Sequence, residues 1–449
     1  MKRTTATAIG AVLAASMILG GCGGSNDGDG QTASSAPSAS GGSGKAITLQ
    51  FWGGVPPESG PQEAVDNWNK LHPDIQVQYT RFVNDDAGNL KLETALLSNQ
   101  DAPDVFMSYS DFNVTKRVEA GMIEPLDDLI AQVGFDVDGI IGVDNIKKFP
   151  DGHYYYLPAN RNIGATLINK TALEAAGEQV PEAWTWDQFA ALAKKLTTGD
   201  MKGTAMDAAL NNYGEHLLAE EKPLDSYIKD DGTSNFDSPA LKQGLELQKD
   251  LESSGAQLSR AEAVANKLTN QDALLTGKAA MVVSQIYMLR YIKDTTNYPH
   301  DFQIVFAPVP QLTEGGNVNI GGGMGDFMSI NKNSPNKDAA IQFMDWYLKE
   351  GNMAMVPGGR IPTNKQADQA KIAEMLIGDA GDLIDQASLQ AALSGDYVFP
   401  TSYNVPAPTE LHQVYTEEME KYLLGAQSID AATAALKKRG DETIASAKK

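Results

Sequence analysis

The chain has 449 residues, and a folded body of roughly 400 residues exceeds what one core usually encloses, so two domains are expected. A formal charge of -22 excludes the basic face that nucleic-acid phosphates require. The five histidines are scattered without a His-Glu-x-x-His pair and only one cysteine is present, so no metal site and no cofactor are expected.

At the start, Lys2 and Arg3 precede an apolar stretch over 6–19 that is too short to span a bilayer and suits a signal peptide. It ends in Leu19-Gly20-Gly21-Cys22, and a lone cysteine in an exported chain calls for a partner or a modification. Residues 23–45 are Gly, Ser, Ala, Asp and Thr with almost no large apolar side chain, which predicts a flexible tether. The folded body opens with a strand over 46–52, broken at Gly53-Gly54. A helix over 62–71 with Val65, Trp68 and Leu71 on one face follows, then a strand over 75–82, a helix over 90–97 and a buried strand over 103–107. This βαβαβ order predicts a largely parallel sheet, and such sheets bind ligands beyond the carboxyl ends of their strands. Trp52, Tyr109 and Asp111 fall there.

The aromatic run His153-Tyr154-Tyr155-Tyr156-Leu157 stops at Pro158, and 163–168 reads as a second short strand. Residues 159–162, with Asn160, Arg161 and Asn162, are then the chain passing between two strands. Thr171 can cap a helix through Ala176, Gly177 can stop it, and Thr185 can cap a helix through Leu196. Helical periodicity dominates 205–265, and 238–251 is its clearest part. Leu274 to Val283 reads as a helix end followed by a strand that finishes at Ser284-Gln285-Ile286-Tyr287, and 303–307 as a further strand. The glycines at 321–323 and Gly325 let backbone approach a ligand or act at a hinge. Helices are expected over 337–348, 368–375, 383–393, 408–424 and 431–447.

Tyr155 to Pro158, the Asn169-Lys170 end and Thr185-Trp186 after Pro181 together resemble the central signature of the extracellular solute-binding proteins of ABC importers, the family that includes maltodextrin-binding proteins. Ile168 stands where the family usually has Tyr. Pro103-Asp104-Val105, Gly277-Lys278-Ala279-Ala280-Met281 and Gly358-Gly359-Arg360-Ile361-Pro362 extend the resemblance, and Leu19 to Cys22 resembles a lipoprotein box. The resemblance implies an α/β, two-lobed periplasmic-binding-protein-like fold with a ligand cleft and three interlobe crossings. It divides the chain into a signal peptide (1–22), a tether (23–45), a first lobe (46–160 and 321–362) and a second lobe (161–320 and 363–449).

It further implies a non-catalytic monomer, lipidated at Cys22 on the outer face of the cytoplasmic membrane, that captures an oligosaccharide and delivers it to an ABC permease. Trp52, Tyr109, Tyr213 and Tyr287 are the candidate stacking or cleft aromatics. Asp111, Asn160, Arg161, Asn162, Gln285, Asp326 and Arg360 are the candidate polar contacts, with Gly322 and Gly323 offering backbone. Plainer readings stand beside these: core packing for Trp52 and Tyr287, a surface charge or salt bridge for Asp111 and Arg161. A binder of glycerol phosphate or polyamine is the alternative within the family, and a surface glycoside hydrolase, which needs two facing carboxylates, is the alternative class.

Overall fold

The structure, a computed structural model, describes residues 46–208, 212–314, 322–395, 397–402 and 405–447. The expected leader, Cys22, the tether and Gly321 lie outside the described residues. The opening alternation forms strand β1 (Ile47–Gly53), followed by helix Pro61–Leu71, strand β2 (Ile75–Arg81), helix Asp86–Ser98 and strand β3 (Val105–Ser108). β1 pairs in parallel with β2 and with β3, as the βαβαβ order requires. Helix Pro61–Leu71 buries Ala64, Val65 and Trp68. Leu71 was expected on that stripe but is 62% exposed. Six residues of a 3.6-residue period carry it about 120° away from Val65. Helix Asp86–Ser98 starts earlier than its apolar run because the Asp85 carboxylate accepts the Gly88 N–H at 2.8 Å and caps it.

Strand β4 (Leu157–Asn162) and strand β5 (Gly164–Asn169) correct the sequence reading of the central segment. Residues 153–156 carry no regular structure, and 159–162, read as a passage, are strand. The reason is pairing: β4 lies between two antiparallel neighbours, β9 (Gly323–Ile330) and β10 (Ile361–Pro362), which satisfy its backbone on both edges. Asn169, not Thr171, caps helix Lys170–Ala175 by accepting from Ala172 N at 3.1 Å. Thr185 caps helix Trp186–Leu196 in a reciprocal box with Gln188. The helical reading of 205–265 begins too early at its edge, because Lys202–Ala205 is strand β6, paired in parallel with β7 (Ala279–Gln285).

With β8 (Ile304–Ala307), the described strands form two sheets, one in the order β10-β4-β9-β3-β1-β2 and one in the order β6-β7-β5-β8. The largely parallel sheet expected is therefore mixed: β9 runs antiparallel to β3 and β4, and β5 antiparallel to β7 and β8. Each sheet has its own core. Leu49, Phe51, Phe106, Phe327 and Phe343 belong to the first. Two further clusters, one with Leu167, Val282 and Phe306 and one with Trp186, Phe189 and Met281, belong to the second. Burying each such side chain is worth roughly 1.5–3 kcal/mol. The backbone passes from the first sheet to the second at Ile163, returns between β8 and β9, and leaves again after β10, where Asp385 N donates to Ile304 O of β8 at 2.9 Å. The helices Pro408–Leu423 and Ile429–Ala447 pack on helix Pro239–Ser253 around Leu245, Tyr415 and Leu436.

Candidate functional site

The parallel strands β1, β2 and β3 end along one edge, and that edge is closely built. Gly54 N donates to the Tyr109 hydroxyl at 2.5 Å, and the Tyr79 hydroxyl donates to Val55 O at 2.7 Å. A Cβ on Gly54 would stand 2.9 Å from the Tyr109 ring, so glycine is what lets the ring seat there. Behind these rings Asp326, held at φ 49°, takes a 2.8 Å charge-assisted hydrogen bond from Arg360 Nε. Burial first, and then the Asp326 charge, pushes the Tyr79, Tyr109 and Tyr347 hydroxyls up. Arg360 is held further toward its cationic form by Asp326 against the effect of burial. The expected ligand contacts Asp326 and Arg360 are thus satisfied by each other.

Strand period separates the expected trio at 160–162. In the β4–β9 register Asn160 stands opposite Gly325 and Asn162 opposite Gly323, so both asparagines share one face of the sheet. Arg161 stands on the other face, where its guanidinium donates to Gln369 Oε1 at 2.8 Å and burial lowers its pKa. A Cβ on Gly325 would lie 3.4 Å from the amide nitrogens of Asn160 and Asn162, so the glycine leaves the two amides side by side. Asn160 is 8% exposed and its Oδ1 finds no partner among the described residues. Asp111 begins helix Asp111–Glu119 on the exposed rim; partial desolvation raises its pKa and the Lys147 ammonium opposes that. Burial lowers the Lys147 pKa, while Asp111, Asp225 and Glu119 favour its charge. Lys147 and Asp225, one near the first sheet and one beside the second, were not singled out in the sequence; no motif marks either.

The second sheet contributes a cavity of about 240 Å³ lined by Glu215, His216, Ser284, Gln285, Gly322 and Pro400, among others. Gly322 N donates to Asn162 O at 2.7 Å, and a Cβ on Gly322 would fall 2.2 Å from the Gln285 amide, so the crossing strand lies directly on Gln285. Tyr287 is half-buried beneath the Arg290 guanidinium at 5.3 Å, and its hydroxyl accepts a long 3.4 Å bond from Ser284 Oγ. Burial raises its pKa. No sequence motif marks Glu215 or His216; the Asn212 cap that starts their helix is the local signal that places them.

Two expected aromatics are corrected. Tyr213 is 0% exposed, packed edge-on against Trp186 and Phe189, with its hydroxyl donating to Gln257 Oε1 at 3.0 Å, so it is core. Trp52 is 7% exposed, and lies under helix Asp86–Ser98 with the Lys91 ammonium 5.6 Å from its ring. It stands near the end of its strand as expected, but with Ala87, Leu90 and Lys91 of that helix it lines a surface pocket to which no described residue of the second sheet contributes. Among the described residues no group of three or more His, Cys, Asp and Glu could hold a metal ion, and no helix is long and apolar enough to cross a membrane.

Two sheets with separate cores, joined by crossing strands at which polar groups from both converge, define a two-lobed binding protein. The chain matches the family model for bacterial extracellular solute-binding proteins over residues 53–354, and it belongs to that family. It is 26% identical over 328 residues to an uncharacterized lipoprotein of Streptomyces antibioticus, covering 68% of this chain and 67% of that one. A Rhizobium etli sugar transporter in an open conformation superposes with a TM-score of 0.72 at 18% identity, over 88% of this chain and 99% of that one. A Listeria monocytogenes ABC substrate-binding protein in complex with cycloalternan gives 0.70 at 20% identity, over 89% and 100%.

Proposed function

We propose that this chain is the extracellular capture component of an ABC importer, closing its lobes over an oligosaccharide and presenting it to the membrane permease. The observation that carries the reading is the convergence on one crossing strand of two uncharged amides from the first lobe, Asn160 and Asn162, and a polar cavity with Ser284 and Gln285 from the second. A ligand that touches both only when the lobes meet stabilises the closed form by that differential contact. The sugar and cycloalternan named for two structures of the same fold support the ligand class. Tyr109, Asp111, Asn160, Asn162, Gln285, Tyr287, Gly322 and Gly323 serve as the ligand set. Asp326, Arg360 and Arg161 position the crossing strands instead, being engaged by protein partners.

The remaining parts of the reading follow the family and the leader sequence. The expected boundary at 160 moves to 162, because Arg161 and Asn162 belong to strand β4 of the first sheet: residues 46–162 and 321–362 form the first lobe, 163–320 and 363–449 the second, and a lipidated Cys22 holds the monomer at the membrane through the 23–45 tether. No bond of the sugar is broken. A thermal-shift screen against neutral oligosaccharides, sugar phosphates and polyamines, with the ligand recovered and analysed, tests this. A glycan at 100 times its dissociation constant should add about 2.7 kcal/mol and be recovered whole. Stabilisation by phosphates alone would discard the sugar, and a cleaved glycan would move the protein to the hydrolases.

A further inference from the structure

Glu215 is a carboxylate 8% exposed at the wall of the second-lobe cavity. Its Oε1 accepts the Tyr227 hydroxyl and stands 3.2 Å from His412 Nδ1. Among the described residues its Oε2 has only Asn212 Nδ2, at 3.4 Å, longer than the roughly 2.7–3.2 Å of a well-made N–H···O bond. A carboxylate offers about four lone-pair directions, so acceptor capacity remains on this cavity-lining group. The positive end of helix Tyr213–Glu221 is already answered by Glu215 within its first turn. No Lys or Arg lines the cavity among the described residues. His216 beside it is held toward the neutral imidazole by burial.

We propose that this cavity is an acceptor-dominated subsite that takes a hydroxyl-rich or amine-bearing end of the ligand and rejects anions such as phosphates and uronates. The inference rests on the capture reading above and narrows its ligand class. An entering anion would meet the Glu215 charge in a desolvated space with no cation on the cavity side, whereas a hydroxyl or ammonium donor completes a buried acceptor. At about 240 Å³ the cavity is smaller than the roughly 300–1,000 Å³ of a drug-sized pocket, so it takes one ring or its edge and leaves the rest of a chain to the first-lobe amides.

Crystals of the protein soaked in a mixture of glycerol, Tris and sodium sulfate test this. The expected result is glycerol or Tris in the cavity with a donor on Glu215 Oε2; sulfate there, or water alone, overturns the subsite. In Glu215→Gln crystals Tris should vanish while glycerol remains, and Tris retained at full occupancy overturns the role of the charge. Should Glu215→Gln fail to fold, Ser284→Ala should thin the glycerol density without admitting sulfate, and unchanged glycerol density overturns the assignment. The glycan screen keeps the two readings apart. A stabilising glycan together with sulfate in the cavity retains capture and overturns the subsite; glycerol or Tris on Glu215 with a silent screen supports the subsite and removes the oligosaccharide.

Discussion

Asp326 in the first lobe and Glu215 in the second are both buried carboxylates, yet their surroundings differ. Asp326 is held by a permanent cation, Arg360 at 2.8 Å, with Tyr79, Tyr109 and Tyr347 around it. Glu215, which lines the cavity, has a titratable partner, His412, whose side chain is 56% exposed, and one oxygen met only by a long Asn212 amide contact among the described residues. A buried charge whose partner is fixed and dry is committed to the fold, because its desolvation is offset only while the pair is intact. A buried charge with a wet partner and spare lone pairs can still accept something from outside. The same residue type thus serves construction in one lobe and reception in the other.

The largest expected effect breaks the first member of that comparison. Arg360→Met leaves Asp326 buried without a cation and should cost about 3–5 kcal/mol in urea unfolding. A double-mutant cycle with Asp326→Asn should recover a large part of that loss. A cost below about 1 kcal/mol would mean the pair is solvated and free for ligand after all. Trp52→Ala comes next, at about 3–5 kcal/mol of stability because the ring packs under a helix, with affinity for any glycan hit unchanged. Affinity falling in step with stability would return Trp52 to the ligand set.

These outcomes also show what the sequence could and could not tell. The βαβαβ opening, the Thr185-capped helix and the Ala279–Gln285 strand were legible because period and capping are local. The two-lobed arrangement came from motif resemblance, not from those patterns. What was not legible depends on register and on what covers a face. Asn160, Arg161 and Asn162 read as one polar run, and only pairing with β9 and β10 reveals that Arg161 points away from its neighbours. Trp52 and Tyr213 sit at positions where an aromatic can be exposed, and distant helices decide otherwise. Glu215 needed the fold to bring Tyr227 and His412 to it from 12 and 197 residues away.

A smaller effect sharpens the contrast between face and face in β4. Asn160→Leu removes a buried oxygen that has no partner among the described residues, so apo stability should hold or rise, by up to about 1 kcal/mol. Ligand binding should weaken by about 1–3 kcal/mol, read by calorimetry with the glycan from the screen, because the variant offers that ligand no amide. Arg161→Lys on the opposite face should do the reverse, loosening the Gln369 contact while leaving affinity within error.

The smallest effect probes the wet partner itself. The hydrogen bond to Glu215 raises the His412 pKa above its ordinary value, so the folded state holds that proton more tightly than the unfolded one. The stabilisation is complete below the unfolded value of about 6.5 and is lost as pH rises through the higher folded value. His412 is more than half exposed, so solvent screening limits the effect to a few tenths of a kcal/mol. His216, one residue along from Glu215, has the opposite sign: burial lowers its pKa, so its contribution fades as pH falls through about 6.5. The whole-protein profile therefore mixes both. The difference between wild type and His412→Gln, taken at matched pH in urea unfolding, isolates the first and should shrink from pH 6 to pH 8. A difference that grows over that range would mean His412 is held neutral against Glu215 in the folded protein.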